Sequence, residues 1–73
     1  MKVLEMSDVL LDALKRDFEV FAGYTQYHIV KMSVAFASGN YEEARLAQTK
    51  VVANVEHMSR ILDAVTTSEE KHD

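Results

Sequence analysis

The chain has 73 residues, with twelve Asp and Glu against eight Lys and Arg for a formal net charge of -4, and it contains neither proline nor cysteine. A domain of this size hides only about 60% of its surface, so a lone core is marginal; with no disulfide available and no dense cluster of ligands for a structural metal, self-association is the remaining device. The acidic balance repels phosphate backbones, and no apolar run is long enough to span a bilayer, the helix-one stretch being interrupted by Lys15, Arg16, Asp17, Glu19 and Lys31.

Residues 1–5 read as a frayed extension, too short and too acidic for a secretory signal, which leaves a cytoplasmic location as the expectation. Ser7 is a good N-cap and Asp8 places negative charge where the helix dipole favours it, so helix one is predicted over about 7–38. Along it Leu11, Leu14, Phe18, Phe21, Ala22, Thr25, Ile29, Met32 and Phe36 recur at steps of three and four and are expected to form the apolar seam. Thr25 and His28 lie on or beside that stripe and are expected to form a polar core layer that fixes register or oligomer state.

Gly39 can adopt the left-handed conformation that ends a helix, and Asn40 can cap the next, with Glu43 completing a capping box. The turn is therefore placed at 38–40. Ser38–Ala44 locally resembles the turn of a tetratricopeptide motif, but helix one is longer than that motif's and no second repeat follows. Helix two is predicted over about 41–66, with Ala44, Ala47, Val51, Val55, Met58, Leu62 and Val65 as its stripe and 67–73 as a frayed polar tail. Two matching stripes about a tight turn predict an all-α, antiparallel two-helix hairpin occupying 1–73 as one domain. Residues whose numbers add to about 79 then lie level across it, which would pair Arg16 with Asp63 and Glu19 with Arg60.

A second apolar stripe runs along each helix: Val20, Tyr24, Tyr27, Lys31 and Val34 on the first, and Leu46, Ala53, His57, Ile61 and Ala64 on the second. A hairpin satisfies one stripe per helix internally, so the second predicts either dimerisation into a four-helix bundle or a partner surface. Tyrosine, with its apolar body and polar tip, favours use in protein contacts.

The histidines do not form the paired Glu-x-x-His of di-iron bundles, no serine sits in a nucleophile elbow, and no glycine-rich loop could cradle phosphate. No catalytic residue, metal or cofactor is predicted. The sequence therefore points to a non-enzymatic, acidic, homodimeric protein-binding module, a regulator or inhibitor that occludes a surface of a target protein, a character shared with small host-directed proteins of viruses. A small assembly or secretion chaperone that binds a client helix is the second reading. A nucleic-acid-binding bundle, drawing on Lys31, Lys50 and His57, is the third.

Overall fold

A computed structural model describes residues 7–70, with side chains as far as Thr67. It contains two helices, α1 (Asp8–Ala37) and α2 (Tyr41–Glu70), packed against each other as a hairpin. The expected extension at 1–5 and the tail beyond residue 70 lie outside the described residues. The chain enters α1 through Ser7, whose Oγ accepts the Leu10 N–H at 3.1 Å and so satisfies one of the donors left free at a helix start.

Gly39 takes φ of 79°, a conformation that costs other L-residues roughly 1–2 kcal/mol. Its N–H donates to the Phe36 carbonyl at 3.0 Å, while the Asn40 N–H donates to the Ala35 carbonyl at 2.8 Å, which together make a Schellman stop. Asn40 Oδ1 then accepts the Glu43 N–H at 3.4 Å as the N-cap of α2. The expected capping box is half formed: the Asn40 N–H that Glu43 would have bonded is already given to Ala35. Past Val65, α2 continues four residues beyond the expected 66, because Thr67, Ser68, Glu69 and Glu70 include no helix breaker and extending an existing helix costs little.

The residues withdrawn from solvent follow a strict alternation of three and four. On α1 they are Leu11, Leu14, Phe18, Phe21, Thr25, His28, Met32 and Ala35; on α2 they are Ala44, Ala47, Val51, Asn54, Met58, Ile61 and Val65. These are the a and d positions of a heptad, the spacing that keeps one seam facing a neighbouring helix. Apart from them, only Ala22 and His57 among residues 8–67 are less than exposed.

Four residues expected in the seam are corrected by this pattern. Ile29, Phe36, Val55 and Leu62 are 42%, 64%, 46% and 52% exposed, one position round the helix from the seam. Their places are taken by His28, Ala35, Asn54 and Ile61, smaller or more polar residues on three of the four counts. The level register expected from the turn sets Ala35 opposite Ala44, so the seam begins beside the turn with small residues. Farther from the turn the layers widen to Phe18 with Ile61 and Leu14 with Val65.

The seam is thin. Ala44, Ala47 and Ile61 are the buried apolar residues and Thr25 the buried polar one, and among the described residues no side chain is completely withdrawn from solvent. The ion pairs expected across the hairpin are not made. Arg16 and Asp63 occupy the outermost position of their helices, Glu19 and Arg60 lie on opposite sides, and all four are exposed.

Candidate interaction faces

A hairpin one layer thick has two broad faces, and the heptad sorts the exposed residues between them. In an antiparallel pair the g positions of both helices flank one side of the seam and the e positions the other. Grooves lined by residues from both helices show the same division. One of about 210 Å³ is lined by His28, Lys31, Glu43, Leu46, Ala47 and Lys50. Another, of about 440 Å³ on the other side, is lined by Met32, Phe36, Tyr41, Ala44, Arg45 and Gln48.

The first face gathers most of the expected second stripe. Val20, Tyr24, Tyr27 and Val34 from α1 are between 51% and 59% exposed, Leu46 from α2 is 63% exposed, and Lys31, Ala53 and Ala64 lie open beside them. Sequence reasoning placed these on each helix separately; folding brings them onto one side. A further open groove of about 590 Å³ runs along α1 beside Val20, Gly23, Tyr24 and Tyr27.

Two members of the expected stripe sit elsewhere. Ile61, at 6% exposure, is one of the most buried side chains and belongs to the seam, level with Phe18. Its interface assignment is corrected: three residues on from Met58 it continues the heptad and turns inward. His57 is half-buried, its ring stacked at 4.1 Å and 41° against Phe21 at the seam's edge.

Tyr24 meets Phe21 edge-on with ring centroids 6.2 Å apart, and His28 meets its neighbour Tyr27 at 5.1 Å rather than Tyr24. Lys31 does reach back one turn, with Nζ 5.6 Å from the Tyr27 ring centroid, within the range of a cation–π contact. The face thus presents a continuous patch of tyrosine and aliphatic surface crossed by Lys31 and Lys50.

Of the expected polar layer, Thr25 is buried and His28 half-buried. The Thr25 hydroxyl donates to the Phe21 carbonyl at 2.7 Å and lies 3.6 Å from Met58 Sδ. A polar member that sequence reasoning missed is Asn54, half-buried in the seam and level with Thr25. The regular steps to Val51 and Met58 on either side were the signal that could have found it.

The second face is not legible in the sequence, where four of its members, Ile29, Phe36, Val55 and Leu62, read as core. Ile29, Phe36, Tyr41, Val52, Val55 and Leu62 are all at least 42% exposed, and the Phe36 and Tyr41 rings meet across the turn with centroids 5.3 Å apart, tilted by 58°. Among the described residues no group of three or more His, Asp or Glu is placed to hold a metal ion, and no helix is long and apolar enough to cross a membrane. Comparison with protein-family models, with curated proteins and with solved structures gives no significant match to this chain.

Proposed function

We propose that this chain is a non-enzymatic protein-binding module that works as a homodimer, two hairpins forming a four-helix bundle that regulates or inhibits a target protein by covering part of its surface. The observation that carries the reading is the surplus of exposed apolar surface. Fourteen large hydrophobic residues are more than two-fifths exposed, and all but Val9 and Val30 fall on the two faces rather than singly. The accessible surface is 5722 Å² for a chain of 8.3 kDa, against about 4,600 Å² for a compact protein of that mass. The excess, about 1,100 Å², exceeds the roughly 800 Å² that one partner contributes to a standard interface.

Covering half-exposed residues of this kind stabilises by about 1 kcal/mol each, so a single face supplies several kcal/mol. Two such faces support both a self-association surface and a separate surface for a target. Sedimentation equilibrium tests the first half of the proposal. A mass of two chains is expected, and a single-chain mass at every concentration reached would overturn it.

The target-binding half is tested by replacing Tyr24 and Tyr27 with serine. Both changes fall on exposed side chains, so the hairpin should keep its helicity by circular dichroism while losing any protein that co-purifies from the native host with the unaltered chain. Equal recovery by both forms would remove the tyrosine face from the account.

A further inference from the structure

Resting on the homodimer reading, we infer that the second copy docks on the face of Ile29, Phe36, Tyr41, Val52, Val55 and Leu62, leaving the tyrosine–lysine face outward in the assembled bundle. Both faces are apolar enough to attract a partner. The rows directly beside the seam, which a bundle buries deepest, separate them.

On the tyrosine–lysine side that row reads Leu10, Asp17, Tyr24, Lys31, then Glu43, Lys50, His57, Ala64. Four formal charges are spread along its length. On the other side, among residues whose side chains are described, it reads Asp8, Lys15, Ala22, Ile29, Phe36, then Tyr41, Gln48, Val55, Leu62, with its two charges at the open end of α1. Each ion taken from water into a bundle core costs several kcal/mol unless it is well paired. Helices that pack against two neighbours extend their apolar stripe from a and d into e or g, and here only the e row is extended.

Self-pairing adds a second constraint. In a twofold dimer a face meets its own copy, so it must be complementary to itself. Across the central stretch of the Ile29–Leu62 face the formal charges are Glu19 and Arg45, one of each sign, with Gln26, Ser33, Gln48 and Ser59 as neutral polar company. The opposing face carries Lys31, Lys50 and Arg60 against Glu43 in the corresponding stretch, which suits a partner of different charge better than a second copy.

The test compares matched charge insertions by sedimentation equilibrium, with circular dichroism on the same samples to check helicity. Val55→Glu and Leu62→Glu, each at a half-exposed position of the hairpin, are expected to raise the dimer dissociation constant by at least about 100-fold, equivalent to about 2.7 kcal/mol. Val20→Glu and Val34→Glu are expected to leave it within about threefold, a change below 1 kcal/mol. The reverse pattern would overturn the face assignment while leaving the homodimer intact, whereas a monomeric unaltered chain would sink the reading beneath it.

A second measurement does not depend on destabilising variants. A nitroxide on Gln48→Cys, in a chain with no other cysteine, should be immobilised in the dimer, and one on Ala53→Cys should stay mobile. Immobilisation at Ala53, or free motion at Gln48, contradicts the assignment.

Discussion

The two glycines permit one substitution with opposite signs at two positions. Gly23 lies within α1 at the outermost heptad position, exposed, and a methyl group built there meets nothing within 4 Å. Gly23→Ala therefore removes the backbone-entropy cost of glycine in a helix, about 1 kcal/mol, without a steric penalty. Gly39 also has open space around it, but its φ of 79° makes any side chain strained. Gly39→Ala should cost about 1 kcal/mol, the left-handed penalty less a smaller gain from stiffening the unfolded chain. Urea unfolding followed by circular dichroism at one matched protein concentration reads both, and the midpoints should move in opposite directions. For a domain this small 1 kcal/mol also shifts Tm by roughly 4–8 °C. With the second copy docked on the Ile29–Leu62 face, position 23, which borders the groove beside Val20 and Tyr24, stays uncovered. A neutral or destabilising Gly23→Ala would mean that the outward assignment, and with it the heptad frame, is wrong.

Ile61→Ala should cost about 2–4 kcal/mol, since it empties the largest buried apolar site. In an isolated hairpin Leu62→Ala would cost less than about 1 kcal/mol, because the side chain is half exposed; a loss matching Ile61→Ala in urea melts is expected only if a second copy covers it. Thr25→Val should change stability by less than about 1 kcal/mol, because the Phe21 carbonyl that the hydroxyl bonds keeps its backbone donor; a loss above about 2 kcal/mol would show that the hydroxyl does more than back-bond. Ser7→Ala should remove about 1 kcal/mol through the lost cap on Leu10, whereas Ser7→Asp should restore it.

Much of the fold could be read directly from the residues. Ser7 and Asn40 as caps, Gly39 as the stop and the helical hairpin all follow from local chemistry, and each is present. The seam was harder, because hydrophobicity and position disagreed. Following bulk from Thr25 leads to Ile29, whereas following the alternation leads to His28, and the helix obeys the alternation because its geometry fixes which Cβ atoms face the neighbour. The same disagreement chose Phe36 over Ala35 and Val55 over Asn54, whereas Leu62 and Ile61 are equally apolar and only the alternation separates them. Once the seam is shifted by that one position, the apolar residues it releases make a second outward face, which no single-helix reading contains. The tyrosine patch was visible as two separate rows; that both rows share a side depends on the handedness of the pairing.

The small residues beside the turn and the large ones at the open end divide the task of holding the rods together. Near residues 35 and 44 the covalent link keeps the helices adjacent, so alanine contact suffices there. Toward the other end the half-buried residues of the seam are bulky, Leu11, Leu14 and Phe18 on α1, and side-chain packing takes the place of the covalent link. Nicking the loop would thus detach the alanine end first, while trimming either terminus would let the rods part from the far end, like a clothes-peg robbed of its jaws rather than its spring.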